Sequence, residues 1–183
     1  MQAKKTYLRH EVLARRDAMM PETRALASAK IAQHIMGLAK DFPRGPISLF
    51  WPIRSEIDTR PLMQALREAG HDLVLPRVEG SSLEFRIWHH NAPLVSGKFG
   101  LSEPGLDAPL VRPATMLVPL AAFDAHGHRI GYGKGFYDRA IAALNPKRKI
   151  GLAFACQRID NVPSEPHDER LDSIVTEAEI LNF

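Results

Sequence analysis

MLVPLAAFDAHGHRIGYGKGFYDRAIAAL, residues 116–144, decides the fold. The apolar run 116–123 reads as a buried strand, and residues 136–144 read as a helix. Between them Gly131, Gly133 and Gly135 alternate with Tyr132 and Lys134. A strand, a glycine loop and a helix in that order let backbone N–H groups surround an anion. Glycine permits the positive φ such a loop needs and lets phosphate oxygens approach the main chain. Lys134 adds a mobile charge, and Asp138 supplies a carboxylate able to hold a divalent cation. The stretch reads as a phosphate site, with a nucleotide as the expected owner of the phosphate.

Two standard phosphate motifs are excluded by spacing. A Walker A loop needs Gly-x-x-x-x-Gly-Lys followed by Ser or Thr. Here Gly135 follows Gly133-Lys134, and His128 stands in place of the first glycine. A dinucleotide fingerprint needs Gly-x-Gly-x-x-Gly, whereas these three glycines are spaced by two throughout.

Outward from this stretch, the chain alternates helices and strands. Residues 2–19 are rich in helix formers, and Pro21 marks a break that also suits the start of a second helix. Ile31, Ile35 and Leu38 give that helix an apolar stripe. Residues 47–51 read as a short buried strand and 60–69 as a helix, with Gly70 as its C′ residue. A strand at 73–75 is expected to be cut short by Pro76. Leu83, Phe85 and Ile87 alternate with polar neighbours over a further strand at 83–88. The Pro- and Gly-rich segment 92–113 reads as an ordered loop over a surface. Strands follow at 116–120 and 149–154. The expectation is an α/β, single-domain layered fold over residues 1–183, with a largely parallel central sheet flanked by helices.

The 183 residues, 45% of them hydrophobic, suit one domain with a real core. A net charge of +3 is too mild for a generic nucleic-acid binder, and no nucleic-acid partner is expected. The positive charge is concentrated in the first helix at Lys4, Lys5, Arg9, Arg15 and Arg16. Cys156 is the sole cysteine, so there is no intrachain disulfide, and its apolar setting points to a buried thiol. No apolar run is long enough to span a membrane, and the N-terminus lacks a signal-peptide core. A cytoplasmic monomer with no membrane partner is the default expectation. His126, His128, His89 and His90 lack a third ligand at recognisable zinc spacing and read as loop histidines.

Pro119, Phe123, Asp124, Gly127, Arg129, Ile130, Gly131, Gly133, Gly135, Phe136, Tyr137 and Asp138 stand in one register. Together they resemble the signature of the 5-formyltetrahydrofolate cyclo-ligase (methenyltetrahydrofolate synthetase) family. That signature is Pro-x-x-x-Phe-Asp-x-x-Gly-x-Arg-(Leu/Ile)-Gly-x-Gly-x-Gly-(Tyr/Phe)-Tyr-Asp. Lys5 and Arg9, the stretch Glu56-Ile57-Asp58-Thr59, and Gln157, Val162-Pro163, Asp168, Asp172 and Thr176-Glu177 follow its other blocks. Phe136, where many members have Tyr, is the main departure.

The resemblance implies a layered fold similar to the sugar-phosphate isomerase and CoA-transferase group. It implies an ATP- and Mg²⁺-dependent ring closure of 5-formyltetrahydrofolate to 5,10-methenyltetrahydrofolate, with ATP as co-substrate. By match to the family, Lys5, Arg9, Arg129, Ile130, Gly131, Tyr132, Gly133, Lys134, Gly135, Phe136 and Tyr137 would hold ATP. Lys134 and Arg129 are the expected γ-phosphate contacts. Trp51 and Glu56 would hold the pterin, with Tyr137 at the junction of the two substrates and catalytic with Lys134 and Arg129. Trp88, Phe85 and Phe99 are further candidates for the slot, although core packing is the expectation for Phe85. Asp138 and Asp168 would bind Mg²⁺, with Glu165, Glu169 and Asp172 near enough to substitute for the second. Competing readings are a nucleotide- or RNA-binding module without catalysis, and a sugar-phosphate isomerase that uses no ATP.

Overall fold

A computed structural model describes residues 1–183. Helix α1 (Gln2–Asp17) is followed by α2 (Pro21–Ala39). Met20 is extended, at φ −60° and ψ 142°, and Pro21 then begins α2, where its missing N–H costs nothing. Strand β1 (Ile47–Ser48) leads to α3 (Arg60–Glu68), and Gly70 at φ +87° closes that helix as expected. Strands β2 (Leu73–Glu79) and β3 (Ser82–Ile87) form a hairpin. A small two-stranded piece, β4 (Val95–Ser96) with β5 (Ser102–Glu103), lies within the 92–113 segment. Strand β6 (Thr115–Pro119) precedes a second short pair, β7 (Ala122–Phe123) with β8 (Arg129–Ile130). Helix α4 (Phe136–Leu144), β9 (Arg148–Leu152), β10 (Ser173–Val175) and β11 (Ile180–Asn182) complete the chain.

The main sheet has seven strands in the order β11-β10-β9-β6-β1-β2-β3. Every pair from β10 to β2 is parallel, and only the outer strands β3 and β11 run antiparallel. Burial on both faces explains this arrangement. Ile47, Leu49, Leu73, Leu75, Leu117, Ile150 and Leu152 face a core shared with Ile31, Ile35, Leu62 and Leu66 of α2 and α3. The alternate residues Val74, Met116, Val118 and Ile174 face Ala140 and Ile141 of α4. Helix α1 lies instead across the carboxyl edge, against β7 and the 3-10 turn Ala155–Gln157. Its Val12 packs with Ala122, Ile130 and Val162.

Strand β2 corrects one expectation, because Pro76 does not end it. Pro76 stands opposite Phe85 in a pair that exchanges no hydrogen bonds, since Trp88 donates to the Leu73 carbonyl three residues earlier. The Pro76 nitrogen therefore points toward β1, and β1 pairing stops at Val74. The ring takes no donor from the ladder. The next outward N–H, on Val78, is accepted by the buried Glu103 carboxylate at 3.0 Å. Segment 92–113 is ordered as expected, and it also covers the outer edge of β3. Ile87 N–H donates to Pro109 and Val111 N–H donates to Phe85. Strands β10 and β11 had no counterpart in the sequence reading, since three-residue strands carry almost no period. Cys156 is half-buried rather than buried, with its thiol 3.5 Å from Met19 Sδ.

Connections diverge at one place in this sheet. From β1 the chain moves to β2 on one side, and β6 then inserts on the other side of β1 with β9 beyond it. The crevice outside the carboxyl ends of β1 and β6 is thus a topological switch point, where open α/β sheets take their ligands.

Candidate active site

The glycine loop is carried to this crevice by the β7–β8 pair. Its base is Asp124, fully buried, whose carboxylate accepts the N–H groups of His126 (2.8 Å), His128 (3.1 Å) and Val162 (3.0 Å). Burial by itself would raise that carboxyl, but the three N–H donors and the nearby His128 hold it below the usual range. Past Ile130, which is buried beside Val12, the main chain opens into the three glycines. Arg9 Nε donates to the Gly131 carbonyl at 2.7 Å. A Cβ on Gly133, at φ +95°, would stand 3.2 Å from the Arg9 guanidinium, so glycine lets the arginine lie across the loop. Gly135, left-handed at φ +63°, starts α4 without a side-chain cap. The leading N–H groups of α4 are accordingly donors available to an anion. Lys134 is exposed, with Nζ 5.1 Å from the centre of the Phe99 ring, and Phe99 also lies 6.1 Å from Phe136.

Beside the loop, the acidic residues fall into a connected group. Asp138 Oδ1 accepts from Arg129 Nη2 (2.7 Å) and from the Glu169 N–H (3.1 Å), while no protein donor meets Oδ2. Arg129, expected at a γ-phosphate, is instead buried with both terminal nitrogens engaged, one by Asp138 and one by the Glu169 carbonyl. In this structure it secures the 165–169 segment to α4. Lys5 reaches across from α1 to Asp168 and, at 3.0 Å, to Glu165. Burial works against charge on Asp168, but bonds from Lys5 and from the Glu165 N–H, with the Lys5 and His167 charges, hold its carboxyl low.

Ligand atoms of Glu165, His167 and Asp168 lie within 4.8 Å of one another. Asp138 is not part of that group and meets the segment through the Glu169 N–H. Its undonated Oδ2 is the oxygen it offers to a hard divalent cation, which would keep water and phosphate oxygens in its remaining positions. Of the alternatives to Asp168, Glu165 belongs to the cluster and Glu169 contributes its backbone. Asp172 lies elsewhere, on the Lys149 N–H at 2.7 Å.

On the β1 side, Glu56 accepts the Ile53 N–H at 3.0 Å and lies beside Tyr132. Burial pushes the Glu56 carboxyl up, and the Tyr132 hydroxyl, the Ile53 N–H and the charges of Arg16 and Arg54 only partly oppose it. Arg16, buried in α1, donates to Tyr132 Oη at 2.7 Å and to Ser55 Oγ at 3.0 Å. Tyr137 joins the group. Burial, then the charges of Glu56 and Tyr132, push its phenol far up, so it stays a neutral hydroxyl. The space among Arg16, Glu56, Tyr132, Leu120 and Gln157 is about 10 Å³, room for one water. Trp51 lines a different and larger cavity of about 540 Å³, packed edge-on against Trp88 at 5.7 Å.

The sequence-expected residues thus assemble as two groups on one crevice. Lys134, Arg9, the three glycines, Asp138 and Asp168 lie on the β6 side and Glu56 on the β1 side, with Tyr132 and Tyr137 between, whereas Trp51 lines the larger cavity with Trp88. Phe85 is core, as expected. Sequence reasoning assigned no role to Arg16 or Asp124. Arg16 lies seven residues beyond Arg9 on the same helical face, a spacing that would have found it.

Comparisons with known proteins find relatives in both sequence and fold. The 5-formyltetrahydrofolate cyclo-ligase family matches residues 1–177. The 5-formyltetrahydrofolate cyclo-ligase of Escherichia coli K12 is 31% identical over 178 residues, covering 92% of this chain and 98% of that protein. Its counterpart in Haemophilus influenzae is 31% identical over 158 residues, covering 81% and 84%. Among solved structures, the 5,10-methenyltetrahydrofolate synthetase of Aquifex aeolicus superposes with a TM-score of 0.83 at 31% identity, covering 97% of this chain and 92% of that one. The enzyme of the same name from Mycoplasma pneumoniae gives 0.77 at 25% identity, with 94% and 98% covered. No helix of this chain is long and apolar enough to cross a membrane. With matches that span nearly its whole length, the chain belongs to the 5-formyltetrahydrofolate cyclo-ligase family.

Proposed function

We propose that this enzyme closes 5-formyltetrahydrofolate to 5,10-methenyltetrahydrofolate at the expense of ATP. The carrying observation is that the β7–β8 pair bearing the glycine loop follows β6 and the Trp51–Glu56 stretch follows β1, so both leave adjacent parallel strands at the switch point. A phosphate site and an aromatic, carboxylate-bearing site on one crevice suit a reaction between two bound substrates. Both reacting atoms belong to those substrates, so no enzyme nucleophile is needed. The formyl oxygen takes the γ-phosphoryl group and ADP departs. N10 then attacks the activated carbon and loses its proton, and phosphate leaves as the second C–N bond forms.

The chain's own residues position and neutralise. Gly131, Gly133 and Gly135 expose backbone donors to phosphate oxygens, and Arg9 fixes the loop from below while adding positive charge. Lys134 carries an ammonium that no protein carboxylate holds, and it is the residue assigned to the transferring phosphoryl group. Arg129 acts through Asp138, which it orients. Asp138 and Asp168 are the residues assigned to Mg²⁺, which when bound would screen the phosphate charge. Lys5 keeps Asp168 ionised, as such a ligand must be. Glu56 would meet pterin N–H groups, and the neutral Tyr137 hydroxyl offers a donor between the substrates.

The test mixes protein, 5-formyltetrahydrofolate and MgATP, and follows methenyl absorbance together with ADP. Equal amounts of both products are expected, with dependence on added Mg²⁺. ADP without methenyl product would assign a different acceptor, and neither product from a folded sample would overturn the proposal.

A further inference from the structure

The 540 Å³ cavity holds a cation that the reaction as described leaves unused. One wall is the α3 face bearing Arg60, Gln64 and Arg67, and another is formed by Trp51 and Trp88, the two tryptophans of the chain. Its volume is that of a small-molecule site. The two arginines differ in their commitments. Arg60 is neutralised by Asp58, which accepts from its Nε at 2.7 Å and its Nη2 at 2.8 Å. Arg67 Nε and Nη1 are shut off from water and meet no acceptor, while the guanidinium lies 4.9 Å from the centre of the Trp88 ring. Buried guanidinium nitrogens are ordinarily hydrogen-bonded, so Arg67 is a cation that no acceptor of the protein commits. Stacking on the indole satisfies the face of the cation and leaves its edge. Its Nη2 also meets no protein acceptor and, unlike Nε and Nη1, is not sealed off, so it is the donor that Arg67 can offer to a carboxylate in the cavity.

We infer that Arg67 anchors a carboxylate of the substrate's glutamate tail, with the aminobenzoyl ring beside Trp51 and Trp88. This rests on the folate reading of the preceding section. An aryl group joined to a dicarboxylate combines the two chemistries the cavity offers, aromatic walls and one uncommitted cation. Arg67 is a specificity residue in this assignment and takes no part in phosphoryl transfer.

Calorimetric titration without ATP tests it, using 5-formyltetrahydrofolate and the pteroate analogue that lacks glutamate. Wild-type protein should bind the glutamate-bearing ligand at least tenfold more tightly. Arg67→Met, or Arg67→Gln should the first variant melt early, should erase that difference and leave pteroate binding unchanged. Equal weakening of both ligands would show a merely structural role, and no weakening would remove Arg67 from recognition. Either result overturns the inference. Wild-type protein that binds neither ligand would instead sink the folate reading. In that event p-aminobenzoylglutamate against p-aminobenzoate decides the anchor: preference for the first that vanishes in Arg67→Met sustains it, and no preference ends it.

Discussion

Arg16 Nη1 donates to the Tyr132 hydroxyl at 2.7 Å, joining the first helix directly to the glycine loop. The same guanidinium bonds Ser55, which follows β1, so one buried side chain spans both halves of the crevice. Removing it leaves Ser55 and Tyr132 short of a charged donor. Arg16→Met should lower the stability measured by urea unfolding by about 2–3 kcal/mol, as expected for lost bonds to a charged group. The KM for the folate should rise with it. A midpoint equal to wild type would show that these bonds contribute nothing net.

Gly133 and Arg9 occupy each other's space. A methyl at residue 133 would stand 3.2 Å from the guanidinium and would also have to accept φ +95°. The left-handed backbone alone costs a non-glycine residue about 1 kcal/mol, and displacement of Arg9 loosens the loop it braces. Gly133→Ala is expected to raise the KM for MgATP about tenfold, equivalent to 1.4 kcal/mol, with a smaller effect on the folate KM. Equal changes in both would place the loop outside the nucleotide site.

The layers and the glycine loop were legible because they are written in contiguous sequence. The apolar runs at 73–75 and 116–123, the alternation of Leu83, Phe85 and Ile87, and helical spacing at Ile31, Ile35, Leu62 and Leu66 each report local burial. Pro76 misled because the rule against proline in strands depends on which side its nitrogen faces, and that is set by where β1 ends. Arg129 could be placed near the phosphates by motif but not in detail. Its partners Asp138 and Glu169 lie nine and forty residues away, and their meeting depends on how the 165–169 segment returns to α4. The Arg67 cavity left no sequence signal at all, since an uncommitted arginine is known only once its neighbours are.

Glu56 carries a pH signature of defined sign. Burial raises its folded-state pKa above 4.5, so the folded protein loses stability as pH climbs from the unfolded value through the folded one. Glu56→Gln lacks this loss while keeping a carbonyl acceptor for the Ile53 N–H. The stability of the variant relative to wild type should therefore be greater at pH 8 than at pH 5, by urea unfolding at both. The lowered carboxyls of Asp124 and Asp168 lose stability toward acid in both proteins and cancel in the comparison. A difference that shrinks with rising pH would mean that Glu56 is favoured as a carboxylate in the folded state, against the burial argument.

Lys134 separates catalysis from folding more cleanly than any other residue of the loop. Its ammonium is exposed, makes no ion pair, and touches only the face of the exposed Phe99 ring. An exposed contact of that kind contributes at most about 0.5–1 kcal/mol, so Lys134→Met should unfold within that margin of wild type. A charge-assisted bond to the transferring phosphoryl group is worth about 1.5–3 kcal/mol, which predicts turnover reduced roughly ten- to a hundredfold. Because the ground-state phosphates also meet the loop backbone, the KM for MgATP should move less than kcat. Near-normal kcat in a variant of wild-type stability would take Lys134 out of the reaction, leaving Arg9 and the backbone donors to bear the phosphate charge.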